Sequence, residues 1–159
     1  MRLISLDQST RVTGWSLFID GQIVDMGVID KHKINNSFTR MGEMACEICN
    51  KIDVLKPDIC ILEDIQNQSS VKTVIMLARL QGAILNYCYS NGIRTEILTP
   101  SQWRSKLQFH QGAHVKRDEL KQQAIDYVKK QFGIEDIDVD QAEAVCISIA
   151  ASKIFDDEL

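Results

Sequence analysis

The sequence lacks a long apolar run. No stretch approaches the roughly 18 consecutive apolar residues that a membrane-spanning helix needs, so no membrane contact is expected. Residues 1–5 enter a strand pattern at once, without the apolar core or the cleavage site of an export signal. We therefore expect a cytoplasmic protein. Its 159 residues, 45% hydrophobic and 25% charged, predict one globular domain over residues 1–159.

The cysteines lack a second paired motif. There are five, an odd number, and the CxxC pair formed by Cys46 and Cys49 lies inside a helical pattern. No further pair follows at the spacing of a zinc site. We therefore expect reduced, buried cysteines, with redox or zinc chemistry as the alternative.

The chain also lacks an excess of basic residues, since its formal net charge is -4. This value argues only mildly against nucleic-acid binding, because the local potential governs contact with phosphates. A cluster of carboxylates, together with the acidic tail at residues 156–158, would make the net charge negative even if one surface were basic.

Hydrophobic periodicity predicts five strands and five helices. The strands are expected over residues 3–6, 13–19, 22–29, 59–62 and 93–98. The helices are expected over 38–55, with Ser37 as its N-cap, and over 70–90, 116–132 and 140–154, with a short one after Thr99. Asp20 and Gly21 predict a two-residue hairpin turn. The order predicts an α/β fold, in which a mixed five-stranded sheet has three antiparallel strands, then parallel strands, and is flanked by helices.

Four acids follow or begin elements that such a sheet brings together. Asp7 follows the first strand and Glu63 follows the fourth, so both carboxylates emerge at one sheet edge if those strands are neighbours. Asp140 and Glu143 are three residues apart at the start of the last helix and share a face of it.

Such a cluster favours bound cations. Carboxylates close together raise each other's pKa unless a cation neutralises them. Hard oxygen ligands select Mg²⁺ or Mn²⁺, and two ions about 4 Å apart activate a water and stabilise the leaving oxygen of a phosphodiester. The alternative is structural: Glu63 in a strand-end turn, and Asp140 as an N-cap with Glu143 completing a capping box.

Five segments, in this order, resemble the RuvC family of Holliday-junction resolvases, which has the RNase H-like nuclease fold. They are residues 6–15 (LDQSTRVTGW), 57–63 (PDICILE), 99–101 (TPS), the basic helix start at Lys116, and 140–145 (DQAEAV). The resemblance covers nearly the whole chain. It implies a homodimer that binds four-way DNA junctions and nicks two opposed strands with Mg²⁺.

The resemblance also implies roles for single residues. By this carry-over Asp7, Glu63, Asp140 and Glu143 are the metal ligands, and Lys116 resembles the family lysine that faces the scissile phosphate. A fixed cation there would neutralise charge that builds up on the phosphoryl oxygens. The alternative for Lys116 is a solvated lysine in a first helical turn.

Two departures from the family pattern bear on specificity. Glu143 stands where the bacterial enzymes usually have Asp, and residues 66–70 (QNQSS) contain no aromatic side chain to stack on bases. Losing that stacking removes about 1–3 kcal/mol of base contact. We therefore expect weak sequence preference and several branched substrates, forks included, which suits a bacteriophage-type member acting in the host cytoplasm.

Without an aromatic side chain that stacks on bases, affinity for DNA is expected to come from phosphate contacts. Each basic candidate is by default a solvated surface charge, and the group is singled out because it borders the expected metal site. The predicted DNA-binding residues are Gln66, Asn67, Gln68, Ser69, Ser70, Lys72, Arg79, Arg104, Lys106, Arg117 and Lys121.

Dimerisation follows from the resemblance, since paired nicks need paired sites. The second helix is the interface candidate, because Met76, Leu77 and Leu80 lie beyond an inner stripe that includes Val71 and Ile75. The alternative is a helix buried on two sides within one chain.

Three rival functions remain open at this point. One is an RNase H-like nuclease that acts on RNA–DNA hybrid. The second is an actin-like ATPase or sugar kinase, whose phosphate-binding turn residues 7–10 resemble, but which needs two lobes where 159 residues supply one. The third is a junction-binding protein without cleavage, in which the four acids would have no role and would repel DNA.

Overall fold

The computed structural model describes residues 1–66 and 70–157. The described part contains five strands and five helices in the predicted order. They are β1 (Arg2–Asp7), β2 (Val12–Ile19), β3 (Gln22–Asp30), α1 (Ser37–Leu55), β4 (Ile59–Glu63), α2 (Val71–Ser90), β5 (Arg94–Leu98), α3 (Pro100–Lys106), α4 (Arg117–Phe132) and α5 (Val139–Asp157). None of the described helices combines the length and the apolarity that a bilayer crossing requires.

The strands form one mixed sheet in the order β3-β2-β1-β4-β5. The pairs β1–β2 and β2–β3 are antiparallel, whereas β1–β4 and β4–β5 are parallel. Asp20 and Gly21 join β2 to β3 with φ angles of 50° and 81°, the positive values that a type I′ hairpin turn requires. The predicted fold class is therefore confirmed.

Side-chain alternation along the strands separates two buried layers. Leu3 of β1 and Ile61 of β4 pack with α3, α4 and α5, while Ile4 and Leu62 pack with α1 and α2. Because successive side chains point to opposite faces, Asp7 lies on the same face as Leu3, the face that α5 covers. This parity directs the strand-end acids toward the last helix.

Helix α5 lies directly on β1 and β2. Gly14 pairs with Asp7 in the β1–β2 register. A Cβ added at Gly14 would come within 1.9 Å of the backbone oxygen of Asp140. Only glycine permits this approach, and the approach brings the start of α5 to the end of β1.

A buried hydroxyl network fixes the same contact one turn further along α5. The Oγ atoms of Ser5, Ser16 and Ser148 are fully buried and lie 2.7–2.8 Å from one another. The Ser5 hydroxyl also donates to the carbonyl oxygen of Ala144 at 2.6 Å. Buried polar groups are tolerated only when they are hydrogen-bonded, so this network specifies where α5 sits on the sheet.

The N-terminal cap of α5 differs from the predicted alternative. The Asp138 carboxylate accepts from the Gln141 backbone N–H at 2.9 Å, and the Gln141 side chain accepts from the Asp138 N–H at 3.3 Å. This reciprocal pair is a capping box. The hypothesis that Asp140 and Glu143 form the box is therefore wrong, and their carboxylates are left for other contacts.

The starts of α1, α2 and α4 each differ by one residue from the predictions. Asn36, rather than Ser37, caps α1, because its side chain accepts from the backbone N–H groups of Phe38 and Thr39. Lys116 occupies the N-cap position of α4 with an extended backbone, so the helix begins at Arg117.

The inward face of α2 also differs from the prediction. Leu80, Ile84 and Cys88 are fully buried, whereas Val71 and Ile75 are 75% and 44% exposed. Apolar residues occur all round this helix, so periodicity alone selected the wrong stripe. Leu80, predicted to face outward, packs in the core instead.

The five cysteines are free thiols. Cys60, Cys88 and Cys146 are buried as expected, whereas Cys46 is exposed, contrary to the prediction that all are buried.

We predict that Gly14→Ala displaces the start of α5, because the added methyl group overlaps the backbone of Asp140. Overpacking of this kind costs about 1–3 kcal/mol of unfolding free energy. Thermal melting should show the loss, and metal binding should weaken with it.

The matched control is Gly42→Ala, since Gly42 lies in α1 and a Cβ there meets nothing within 4 Å. This change should stabilise the chain by about 0.5–1 kcal/mol. Equal melting temperatures for the two variants would contradict the close packing of α5 on β2.

Candidate active site

Three acids from opposite ends of the chain converge at the carboxyl end of β1. One carboxylate oxygen from each of Asp7, Asp140 and Glu143 lies within 4.8 Å of the other two. Asp7 ends β1, and the two others share one face of the first turns of α5. Glu143 is buried, at 8% exposure, whereas Asp7 and Asp140 are partly exposed to the cleft.

Glu63 lines the same cleft but stands outside this group of three. Its Oε1 accepts a hydrogen bond of 2.8 Å from the indole N–H of Trp103. Its backbone is held from two sides: the Gln8 side chain bonds both the N–H and the carbonyl oxygen, and the Gln81 side-chain amide donates to that oxygen at 3.1 Å. Glu63 is therefore a rigidly placed fourth acid.

Basic groups border the acids. The guanidinium of Arg104 lies 3.6 Å from Glu143 and 4.8 Å from the Trp103 ring centroid. Arg117 and Lys121 of α4 line the cleft opposite. The Arg104 Nε is buried without a hydrogen-bond partner in the described part of the chain.

The pKa values of all four acids are displaced upward. Burial raises the pKa of Asp7 well above its usual range, and the charges of Glu63, Glu143 and Asp140 add to this. Burial also raises the pKa of Glu63 to about 7, against the opposing hydrogen bond from Trp103. Burial is the first cause for Asp140 and Glu143 as well. The ionised cluster therefore lacks sufficient compensating charge.

The donor set fits a hard divalent cation. Every side chain in the group of three offers a carboxylate oxygen, the ligand type that Mg²⁺ and Mn²⁺ prefer. A bound cation would supply the positive charge that the raised pKa values call for.

The cleft that contains the acids has a volume of about 880 Å³. Some predicted DNA-binding residues line it and others do not. Lining it are Gln66, Lys72, Arg104, Arg117 and Lys121. Outside its described lining are Ser70, which caps α2, Arg79, which lies 6.0 Å from the Phe38 ring, Lys106 and Lys116. Asn67, Gln68 and Ser69 fall outside the described residues.

Lys116, which the resemblance implies faces the scissile phosphate, lies outside the described lining of the cleft. It is exposed at the N-cap of α4, and the neighbouring Arg117 and Lys121 line the cleft in its stead. The charges of Arg117 and Lys121, one and five residues after Lys116, lower the pKa of Asp140 against the effect of burial. They are the cations of α4 that act on the acids.

Several lining or supporting residues escaped sequence reasoning. Gln8 and Gln81 hold Glu63, Trp103 bonds it, and Arg11 and Arg40 line the cleft. Arg40 is only 8% exposed, and its Nη1 donates to the Ile34 carbonyl at 2.6 Å. A buried arginine beside an N-cap gives no periodic signal, although the proximity of Gln8 to Asp7 in the sequence does point to Gln8.

We predict that Glu63 makes metal-free stability fall as the pH rises. Its folded pKa of about 7 exceeds the ordinary 4.5, so the folded chain holds a proton that the unfolded chain has released. This contribution to stability is fully present below the lower value and is lost as the pH rises through the higher one. At about pH 8 the native chain should therefore melt several degrees below Glu63→Gln, since 1 kcal/mol shifts the melting temperature by about 2–4 °C. At about pH 5 this difference should be much smaller.

Glu135→Gln is the control for this measurement, because that side chain is 84% exposed. Its melting curve should follow that of the native chain at both pH values. Identical pH dependence for Glu63→Gln and Glu135→Gln would contradict the burial of Glu63.

Comparison with known proteins agrees with the fold. The family model for crossover junction endodeoxyribonuclease RuvC matches residues 3–151. A curated relative, crossover junction endodeoxyribonuclease RuvC of Caldicellulosiruptor saccharolyticus, is 25% identical over 160 residues, which cover 98% of this chain and 93% of the relative.

Solved structures show the same fold. Thermus thermophilus RuvC superposes with a TM-score of 0.76 at 14% identity, covering 99% of this chain and 97% of that one. The T. thermophilus RuvC in complex with a Holliday junction substrate gives a TM-score of 0.75 at 13% identity, covering 96% and 93%. The fold is thus RNase H-like, as predicted. Because the family model spans almost all of the described chain, the protein belongs to the RuvC family of crossover junction endodeoxyribonucleases.

Proposed function

We propose that this chain is a Mg²⁺-dependent endonuclease that nicks Holliday junctions and other branched DNA. The observation that carries the proposal is the convergence of Asp7, Asp140 and Glu143, with Glu63 in the same cleft. Family membership gives the reaction class, and the acids give it a site.

In this proposal the four carboxylates hold two divalent ions, for which Mn²⁺ is the expected substitute. The ions supply activation of a water and stabilisation of the leaving oxygen of a phosphodiester. Arg104, Arg117 and Lys121 border the acids and would hold the DNA backbone while neutralising phosphoryl charge. Lys116 stays a prediction, since its side chain lies outside the described lining of the cleft.

Substrate recognition is proposed to depend on phosphates rather than bases. Around the acids, the described lining of the cleft offers basic, polar and aliphatic side chains, with no aromatic ring among them. Binding should weaken steeply with salt, because phosphate contacts release counterions. Weak sequence preference follows, and cutting confined to one crossover sequence would contradict it. We place the enzyme in the cytoplasm, with residues 1–159 acting as one domain.

The homodimer is proposed to form through the outer face of α2. Val71 and Ile75 are 75% and 44% exposed there, and Phe38 of α1, beside this helix, is 61% exposed. An apolar face of this kind suits an isologous contact between two copies, and two copies would present paired sites to the near-symmetric junction.

Two rival functions are less well supported. A junction-binding protein without cleavage leaves four acids in the cleft that repel DNA without a role. A hybrid-directed nuclease would share the metal site, so substrate competition distinguishes it from a junction resolvase.

We predict that Asp7→Asn abolishes nicking while leaving metal-free junction binding intact or stronger. The change removes the acid whose carboxylate meets both Asp140 and Glu143, and losing several kcal/mol of transition-state stabilisation lowers the rate by about 10³-fold or more. The measurement uses labelled four-way junction, fork, linear duplex and RNA–DNA hybrid, each with and without Mg²⁺.

Asp53→Asn is the control, since Asp53 is exposed on α1. It should nick like the native chain. Full nicking by Asp7→Asn would refute the site, and preferred cutting of the hybrid would refute the substrate.

We predict that the double change Val71→Asp and Ile75→Asp dissociates the dimer, because it buries like charges across an isologous contact. Light scattering after size exclusion should report a monomer. Val54→Asp is the matched control, since Val54 is 76% exposed against 75% for Val71. A native chain that is monomeric at micromolar concentration, or a doubly changed chain that stays dimeric, would contradict this interface.

A further inference from the structure

We propose that Trp103 is a positioning residue for the metal site: its indole N–H fixes one oxygen of Glu63 and leaves the other to a cation. This inference rests on the proposed function of the four acids. The contact that carries it is the hydrogen bond of 2.8 Å from Trp103 Nε1 to Glu63 Oε1.

Strand pairing brings the two residues together. Glu63 at the end of β4 pairs with Leu98 at the end of β5, and the Asp64 N–H donates to the Leu98 carbonyl at 2.8 Å. Helix α3 begins immediately afterwards, at a capping box in which Thr99 and Gln102 bond reciprocally. The fixed start of this helix places the next side chain, Trp103, against the strand-end acid.

Aromatic packing prevents the indole from turning away. Trp103 is fully buried, and its ring meets that of Phe109 edge-on at a centroid distance of 5.6 Å. Phe109 in turn packs on Tyr127 of α4 at 5.7 Å. A buried indole N–H needs an acceptor, and Glu63 is the acceptor that the structure provides.

The chemistry of the donor suits a ligand carboxylate. A neutral N–H orients one oxygen without cancelling the negative charge, so the carboxylate keeps its attraction for a cation. A lysine or arginine at this position would compete with the metal for the same charge. Outer hydrogen bonds of this kind orient metal ligands, and removing one typically costs 10–100-fold in metal affinity.

The position of Glu63 makes this orientation necessary. Its carboxylate is not among the three that lie within 4.8 Å of one another, although its charge raises the pKa of Asp7. Gln8 and Gln81 hold its backbone, and Trp103 holds its side chain. Without the indole N–H, the side chain would have no described donor and would be free to change rotamer.

The test measures Mg²⁺ binding to the metal-free protein by calorimetry, without DNA. Trp103→Phe should bind Mg²⁺ about 10–100-fold more weakly. Because this change also removes core volume, a second variant carries β-(3-benzothienyl)alanine at position 103, which keeps the ring shape but lacks the N–H. It should show the same loss. The matched control, Phe109→Leu, perturbs the packing of the same indole and keeps its N–H, so it should melt earlier with unchanged Mg²⁺ affinity.

A spectroscopic measurement needs no change at Trp103. The chain has two tryptophans, so in Trp15→Phe the emission comes from Trp103 alone. That emission should change saturably with Mg²⁺, with the midpoint found by calorimetry. Native Mg²⁺ affinity in the benzothienyl variant, or emission insensitive to Mg²⁺, overturns the inference while Glu63→Gln still loses affinity. Native affinity in Glu63→Gln instead removes Glu63 from the proposed site, and the inference with it.

Discussion

The direct contact of α5 with β1 and β2 is the constraint on which the site depends. Side chains normally separate a helix from the sheet on which it packs. Here a glycine and small serine side chains let the helix approach the sheet closely. Gly14 admits the backbone of Asp140, and the hydroxyls of Ser5 and Ser16 receive the helix one turn on. Acids that begin a helix thereby reach the acid that ends a strand.

The same contact creates an electrostatic conflict. Withdrawing carboxylates from water penalises their ionised forms, and burial is the first cause of the raised pKa at every one of the four acids. Arg104 offsets part of the penalty at Glu143. A fold that keeps such a cluster attracts cations. It also loses some folding stability at this site, as is common where residues serve a function.

Much of this arrangement was predictable from local patterns. Strand alternation, the turn at Asp20 and Gly21, and acids directly after two strands all depend on neighbours in sequence. Two contacts left no such signal in the sequence. The indole of Trp103 meets Glu63 only because β4 pairs with β5, and the choice of Asp138 as the cap depends on backbone geometry two residues before Asp140. The prediction of the buried face of α2 was wrong for a different reason, because apolar residues occur all round this helix.

The order in which the acids occur along the polypeptide determines when during synthesis they can come together. Asp7 and Glu63 end β1 and β4, and Asp140 and Glu143 lie in the last helix, so synthesis delivers two of the four acids early and the other two only at the end. A chain cut short before α5 would possess all five strands but would lack Asp140 and Glu143. On the proposed function, the acidic cluster is therefore complete only when translation is nearly finished.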